Sequence, residues 1–275
     1  MSKILKDPTK DELTETIERH WYDLLSTFQN GPDVIYEKTT KITELITWLP
    51  VYFLNGFYDI HLETSELIEF IEEKMDYFKS LKLQMHWLIG PSTTPPDLGE
   101  TLEKCGLKKE ERAMPGMAVK LDEIKTDLPR PKDLIIEHVE DEETLRTYFE
   151  TLIIGYGFPE SLVEPFSSIQ INTKSSEELP MFRYLAYLDG KPVGTSRMVY
   201  NAGVAGIFMV ATMPEARRKG IGTAMTLDPL LQAREDGYNV GVLHSSAMGQ
   251  PVYERMGFKR ICDFWFYRWT PEPQE

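Results

Sequence analysis

The chain has 275 residues, of which 41% are hydrophobic, and a formal net charge of −14 at pH 7. This length fits two domains of ordinary size, and the apolar content is enough for packed cores. The acidic balance argues against nucleic-acid binding, which needs a basic surface. The most apolar stretch, ITWLPVYFLNGFYDI, is too short to cross a bilayer, and the first residues are too charged for a signal peptide.

The cysteine content points to a reducing compartment. Cys105 and Cys262 are too few for a disulfide framework, and no metal-ligand cluster lies near them. Thiols stay reduced in the cytosol, so the sequence predicts a cytoplasmic protein with no metal and no membrane contact.

The first half of the chain predicts a mixed α/β domain over residues 1–128. SELIEFIEEKMDYFKSL has the periodicity of an amphipathic helix, and HWLIG is an apolar strand. The stretch KTDLPRPKD, residues 125–133, follows with two prolines, many charges and no apolar periodicity. These features predict a linker, which places a second domain at residues 133–275.

The second half alternates between strands and helices. LIIEHVED predicts a strand and EETLRTYFETLII a helix, and a hairpin turns at Asp189 and Gly190. VAGIFMVAT is an apolar strand before a glycine-rich turn and a helix that extends to about Asp236. VGVLHS, QPVYERM and KRICDFWFYRW then predict a strand, a short helix and a strand. This order indicates an α/β fold with a mixed sheet.

The end of the first half resembles the end of the second half. When Gly106 is set on Gly257, an apolar strand, a small-residue turn and a short helix align, and Leu107 falls on Phe258. Leu102 stands where the second half has Tyr253, and the first half has no glycine turn before its preceding helix. The pattern predicts a degenerate copy that keeps packing residues and lacks the chemistry.

The glycine-rich turn, ARRKGIGTA, has the features of an anion site. The first turn of a helix leaves several backbone N–H groups unpaired and carries a partial positive charge. Gly220 and Gly222 let a ligand approach that backbone, and the cations at 217–219 oppose the helix dipole unless an anion binds. A mononucleotide P-loop needs its Lys after the last glycine, and the dinucleotide fingerprint needs a third glycine where Met225 stands.

The stretch VATMPEARRKGIGTA resembles the acetyl-coenzyme A motif of the GCN5-related N-acetyltransferases (GNAT), Arg/Gln-x-x-Gly-x-Gly/Ala. Arg217, Gly220 and Gly222 occupy its fixed positions, and PVYERMGF, about thirty residues later, resembles the second motif of the family. The resemblance covers roughly residues 133–270. The end of the first half looks like the non-catalytic half of tandem members, so the implied fold is two tandem GNAT-like halves.

The resemblance implies that acetyl-coenzyme A binds at the glycine turn and along the preceding strand. The strand backbone would bind the pantetheine arm and polarise the acetyl carbonyl, and the turn would bind the pyrophosphate. Ser246 stands where many members have Asn, so cofactor positioning departs from the common pattern there. The implied cofactor residues are Val210, Thr212, Arg217, Arg218, Lys219, Gly220, Ile221, Gly222, Thr223 and Ser246.

The resemblance also implies catalytic roles. Tyr253 matches the tyrosine that protonates the departing thiolate of coenzyme A in many members. Some members carry a Glu on the strand before the glycine turn, but the corresponding position here is Gly206. His244, at the end of the next strand, is the candidate replacement as general base, and deprotonation through water is equally compatible.

The sequence therefore predicts an N-acetyltransferase that moves an acetyl group from acetyl-coenzyme A to a small-molecule or protein amine. A coenzyme A-binding regulator without catalysis and a transferase of a different acyl group are the alternatives. Tyr156, Phe158 and Phe166 are expected to form either an acceptor lid or a hydrophobic plug. The aromatic strand DFWFYRW could pair across a homodimer. The sequence identifies neither the acceptor nor any ligand of the N-terminal half.

Overall fold

The secondary structure follows the predicted alternation of helices and strands. The computed structural model describes residues 3–171, 173 and 175–271. In the first part of the chain the elements are α1 (Lys10–Ser26), β1 (Ile35–Lys38), β2 (Thr43–Ile46), β3 (Asn55–Tyr58), α2 (Leu67–Leu81), β4 (Met85–Ile89), α3 (Leu98–Lys104), β5 (Lys108–Lys109) and β6 (Met114–Lys120). In the second part they are β7 (Ile135–His138), α4 (Glu142–Gly155), α5 (Val163–Gln170), β8 (Met181–Leu188), β9 (Lys191–Asn201), β10 (Val204–Thr212), α6 (Ile221–Glu235), β11 (Val240–His244), α7 (Gln250–Met256) and β12 (Lys259–Trp269).

The chain divides into two compact units that interleave along the sequence. The larger unit contains Met1–His20 and Pro115–Ile261, and the smaller unit contains Trp21–Met114 and Cys262–Glu275. The boundaries therefore differ from the two contiguous domains, 1–128 and 133–275, that the sequence predicts. The cause is strand pairing: β6 pairs with β11 of the larger unit, while residues 265–269 of β12 pair with β4 of the smaller unit.

The larger unit is built on a mixed sheet in the order β6-β11-β10-β9-β8-β7. Its parallel pair is β10 and β11, which α6 connects, and the other neighbours are antiparallel. The predicted hairpin at Asp189 and Gly190 is present, with positive φ angles of 52° and 73° that suit a tight turn. The predicted helix after β7 begins at a capping box, in which Asp141 and Thr144 bond each other's backbone N–H groups.

The smaller unit has the same order of elements around its own parallel pair. Strands β3 and β4 are parallel and α2 connects them, and α3 follows β4 as α7 follows β11. The aromatic strand DFWFYRW pairs within the chain, because residues 265–269 align with β4 and Tyr267 and Arg268 align with β5. These pairings occupy the backbone edges on which the homodimer prediction was based.

The internal repeat extends to individual hydrogen bonds. Gly106 and Gly257 both have left-handed φ angles, 93° and 105°. The N–H of Leu107 donates to the carbonyl of Leu102 at 2.9 Å, and the N–H of Phe258 donates to the carbonyl of Tyr253 at 3.0 Å. Both short helices therefore end in the same glycine-dependent cap at the positions that the sequence alignment pairs.

Candidate active site

The strand that leads to the glycine turn contains a β-bulge. The register between β10 and β9 shifts between Phe208 and Ala211, and Met209 has a φ of 52°. The hydroxyl of Thr195 donates to the carbonyl of Met209 at 3.0 Å, which fixes the bulged peptide. The pairing of β10 with β11 covers only residues 205–207 of β10, so the backbone at Val210 belongs to a stretch outside both ladders.

The glycine turn presents a row of backbone amides. Helix α6 begins after Gly220, whose φ is 84°, and its first hydrogen bond runs from the N–H of Ala224 to the carbonyl of Gly220. Within the part of the chain that the structure describes, the N–H groups of residues 218–223 donate to no other backbone group. These unpaired donors and the positive end of the helix dipole together favour an anion at this turn.

Arg217 has a structural role at the turn. Its Nη2 donates to the carbonyl of Gly155 at 3.0 Å, and its Nε donates to the carbonyl of Thr212 at 3.3 Å. The side chain thus ties the turn to the ends of α4 and β10. This arrangement explains why the first position of the motif is an arginine. Its guanidinium group can donate to two separate carbonyl oxygens at once.

The segment predicted to be a linker lies directly over the glycine turn. A Cβ atom on Gly220 would collide with the carbonyl oxygen of Pro129. Arg130 is held nearby, because its Nη1 donates to Asp228 of α6 at 2.6 Å. This segment therefore forms part of the site and is not a free linker. Its local composition gave no indication of this role.

A cavity of about 1230 Å³ lies between these parts of the larger unit. Five cationic side chains and no carboxylate line it, although the protein as a whole carries a net charge of −14. The cations are Arg130, Arg217, Arg218, Lys219 and Arg255. The structure brings together all ten of the predicted cofactor residues in this lining: Val210, Thr212, Arg217, Arg218, Lys219, Gly220, Ile221, Gly222, Thr223 and Ser246.

Tyr253 also lines this cavity. Its side chain is 8% exposed, and burial raises the pKa of its phenol to about 12 against the opposing effect of a hydrogen bond with Thr226. The Thr226 hydroxyl in turn donates to the carbonyl of Gly222 at 2.9 Å. Tyr253 is therefore protonated at neutral pH and connected to the first turn of α6.

His244 is not among the residues that line the cavity. Its ring stacks against Phe208 with centroids 6.0 Å apart, and His20 stacks against Phe208 at the same distance. Burial and the neighbouring His20 lower the pKa of His244 to about 3. An imidazole with this pKa is a weak base at neutral pH, so the structure argues against the predicted role as general base.

His20 occupies the space beside Gly206, where some family members carry a carboxylate. A Cβ atom on Gly206 would contact the Nδ1 of His20, and the Nε2 of His20 donates to the carbonyl of Asn201 at 2.8 Å. His20 could not be recognised as a neighbour of Gly206 from the sequence, because it lies on α1, far from the motif along the chain.

The aromatic residues after α4 separate into two groups. Tyr156 is 44% exposed, lines the cavity and meets Phe158 edge to face at 6.2 Å. Phe166 is 7% exposed and packs edge to face against Phe149 at 6.0 Å. Phe166 is thus a core residue, and the lid interpretation applies only to Tyr156 and Phe158.

Residues 158–266 match the family model described as an acetyltransferase (GNAT) domain. The match covers less than half of the chain, and it shows that this part is similar to that domain. No curated protein matches the sequence.

Solved structures with this fold match nearly the whole chain. A GCN5-related N-acetyltransferase from Kribbella flavida has a TM-score of 0.65 at 18% identity, covering 94% of this chain and 96% of that one. One from Sphaerobacter thermophilus has a TM-score of 0.63 at 17% identity, covering 98% and 96%. A tandem GNAT protein from the clavulanic acid biosynthesis pathway has a TM-score of 0.58 at 12% identity, covering 95% and 96%. The fold is therefore that of the GNAT proteins.

Two further findings concern metals and membranes. Within the described residues, no group of three or more His, Cys, Asp or Glu side chains is placed to hold a metal ion. The helices of the described part of the chain lack the combination of length and apolarity that crossing a bilayer requires.

Proposed function

We propose that this protein is an N-acetyltransferase that transfers the acetyl group of acetyl-coenzyme A to an amine, with the thioester carrier bound in the cavity of the larger unit. The observation that carries the proposal is the charge of that cavity. Five cations and a row of unpaired amides surround a space free of lining carboxylates, in an acidic protein. Arg130 is already paired with Asp228, and a diphosphate ligand offsets the repulsion among the other four cations.

The residues of the chain fit this ligand along its length. The amides of residues 218–223 would bind the diphosphate, while Arg217 keeps the turn in place through Gly155 and Thr212. The backbone of β10 at the bulge would bind the extended arm. The N–H of Val210 lies outside both ladders, so it can donate to the carbonyl oxygen as negative charge develops there.

Tyr253 is the proposed general acid. When bound, acetyl-coenzyme A supplies an activated acetyl group. The amine nitrogen forms a bond to the acetyl carbon as the carbon–sulfur bond breaks, and the sulfur takes the phenolic proton of Tyr253. Because the pKa of Tyr253 is raised to about 12, the phenol retains its proton at neutral pH until the thiolate forms. The amine proton leaves to water, since His244 is a weak base outside the cavity lining, and the Tyr253 phenolate then takes a proton back from water.

The smaller unit is proposed to be a degenerate copy without a carrier site. Residues 59–66, which connect β3 to α2, contain three carboxylates and no glycine, lysine or arginine. The corresponding connection of the larger unit is the glycine turn. Leu102 replaces the tyrosine at the matching position of α3. We also propose a cytoplasmic location, because the chain has only two cysteines.

Substitution of Tyr253 by Phe tests the mechanism. We expect kcat for acetyl transfer to an amine panel to fall about 100-fold or more, because the departing thiolate then lacks its proton donor. The affinity for acetyl-coenzyme A, measured by calorimetry, should be unchanged. Tyr187→Phe, on β8 outside the cavity lining, is the matched control and should keep wild-type turnover.

The results also distinguish the alternative function. A coenzyme A-binding regulator is favoured by the position of His244 and by the lack of a carboxylate on β10. If the wild-type protein binds acetyl-coenzyme A but acetylates no amine in the panel, the regulator is the correct function. If calorimetry detects no binding, both functions are wrong.

A further inference from the structure

The core of the larger unit contains a buried arginine with one unsatisfied edge. Arg197, on β9, is 0% exposed. Its Nη1 donates to the Oε1 of Gln170 at 3.0 Å, but its Nε and Nη2 are buried and have no hydrogen-bond partner. These two nitrogens form one edge of the guanidinium plane, and this edge is the one that binds a carboxylate through two parallel hydrogen bonds.

Other buried donors on the neighbouring elements β8 and α5 also lack acceptors. Arg183 lies directly opposite Arg197 on β8, and its Nε is buried without a partner. The Nε2 of Gln170 and the hydroxyl of Ser167, three residues apart on α5, are unpartnered as well. Ionised arginines on neighbouring strands repel each other, so the surroundings have an excess of donors and of positive charge.

The protein itself does not neutralise this charge. Burial lowers the pKa of Arg197 only to about 10, so the side chain is charged at neutral pH. The groups that interact with it electrostatically are Tyr148, Arg183 and Tyr156, and Arg197 itself forms no ion pair with a carboxylate of the described residues. A buried charge without a partner destabilises the folded protein, and a bound counter-charge offsets this destabilisation.

Arg197 lies close to the proposed site of acetyl transfer. In the register of β9 and β10 it pairs with Phe208, the residue that precedes the bulge at Met209. Tyr148 connects the two places, because its hydroxyl lies 3.7 Å from the Sδ of Met209 and its phenol group interacts electrostatically with Arg197.

We propose that the acceptor amine carries a carboxylate, which binds to the Nε and Nη2 of Arg197 and to the Nε2 of Gln170. The proposal rests on the proposed acetyl transfer and adds the chemical class of the acceptor. Because Arg197 is fully buried, access to it requires a local opening of α5, which supplies Gln170 and Ser167. The substrate class is an amino acid or a related amino-carboxylate.

The acceptor test uses pairs of compounds that differ only in the anionic group. Each amino acid is compared with the amine formed by its decarboxylation, and β-alanine is compared with propylamine and with phosphoethanolamine. We expect kcat/KM to be about 10- to 100-fold higher for at least one amino-carboxylate than for its matched amine, as two charge-assisted hydrogen bonds predict. Equal values throughout would overturn the proposal, and so would a preference for the phosphate.

The variant Arg197→Met distinguishes a substrate-binding role of Arg197 from a purely structural role. Removing an unpaired buried charge while keeping its volume should leave the Tm of the ligand-free protein unchanged or raise it. The same variant should lose the preference for carboxylates through an increase in the KM for amino-carboxylates. A Tm that falls by several degrees with the carboxylate preference intact would show that Arg197 is structural. Arg146→Met, at an exposed arginine of α4, is the matched control and should keep both properties.

Measurements of amino-acid binding test this proposal independently of the proposed acetyl transfer. The Tm of the protein without acetyl-coenzyme A is measured with each amino acid and each matched amine. A stabilisation by amino acids that Arg197→Met abolishes supports the carboxylate site even if no acetyl transfer occurs. Acetyl transfer to simple amines by a protein whose Tm rises equally with an amino acid and with its matched amine would leave the transferase intact and refute the carboxylate site.

Discussion

At the scale of single residues, the two glycines of the turn have different reasons for lacking a side chain. Gly220 has a left-handed φ of 84°, and the carbonyl oxygen of Pro129 occupies the place of a Cβ atom. At Gly222 a Cβ atom would lie 3.5 Å from the Oγ1 of Thr212, an ordinary van der Waals contact. Gly220 is therefore required by the fold of the turn, whereas Gly222 has room for a methyl group.

This difference predicts the outcome of two alanine substitutions. Gly220→Ala should lower the Tm and weaken acetyl-coenzyme A binding, because the strained residue must displace the segment at Pro129. A non-glycine residue forced into this conformation costs about 1–3 kcal/mol. Thermal unfolding and calorimetry measure both effects. Gly222→Ala is the matched control and should keep the wild-type Tm; equal Tm values for the two variants would contradict this assignment.

At the scale of secondary-structure elements, an ion pair joins α2 and β2 in the smaller unit. The Nζ of Lys74 lies 3.2 Å from the Oε2 of Glu44, and their side chains are 18% and 9% exposed. The same ammonium lies 5.5 Å from the ring centroid of Phe70, with Phe57 and Tyr77 at similar distances. Burial raises the pKa of Glu44 despite the lowering effect of Lys74. Loss of Lys74 would thus leave a buried carboxylate.

We therefore expect Lys74→Met to lower the free energy of unfolding by about 3 kcal/mol at pH 7. The loss should be smaller at pH 5, because Glu44 can then take up a proton and become neutral. Urea unfolding at both pH values measures this. Lys79→Met, at an exposed position of the same helix, should change little, and Glu44→Gln should restore stability in the double variant. A loss for Lys74→Met no larger than for Lys79→Met would exclude a stabilising pair.

The secondary-structure elements and the glycine turn could be predicted from the local sequence. The residues that reach the site from distant parts of the chain could not. Strand β10 has the bounds Val204–Thr212 that the apolar run predicts. The turn was recognisable because its glycines, cations and following helix are consecutive in the chain. The placement of His244, Arg130 and Arg197 depends on which elements pack together in three dimensions. Residue spacing carries no signal for that packing.

At the scale of the whole molecule, each unit contains a histidine that is kept neutral by its surroundings. In the smaller unit, burial lowers the pKa of His86 to about 4, although its Nδ1 donates to the carbonyls of Tyr52 and Asn55 at 2.9 Å. In the larger unit, the pKa of His244 falls to about 3. The ordinary value is 6.5 for both, so protonation opposes the folded state in either unit.

Stability should therefore decrease as the pH falls below 6.5. Between that value and the folded pKa the unfolded chain binds protons that the folded protein excludes, so folding free energy is lost at up to about 1.4 kcal/mol per pH unit for each histidine. Glu44 acts in the opposite direction, because its raised pKa lets the folded state bind a proton first. Urea unfolding from pH 7 to pH 5 measures the slope.

Substitutions of individual histidines check the origin of this slope. His86→Gln and His244→Asn should each make the dependence on pH shallower, whereas His138→Gln, a surface substitution on β7, should not. Stability that is constant over this range in the wild-type protein would contradict the prediction.

The interleaving of the two units has a consequence for synthesis on the ribosome. Most of α1 is made first, yet the rest of its unit extends to Ile261, and the smaller unit receives residues 265–269 of β12 last. Neither unit can assemble fully while the nascent chain is short, so early segments remain exposed to chaperones and proteases for most of translation. A fragment cut at residue 128 or started at residue 133 would contain neither unit complete.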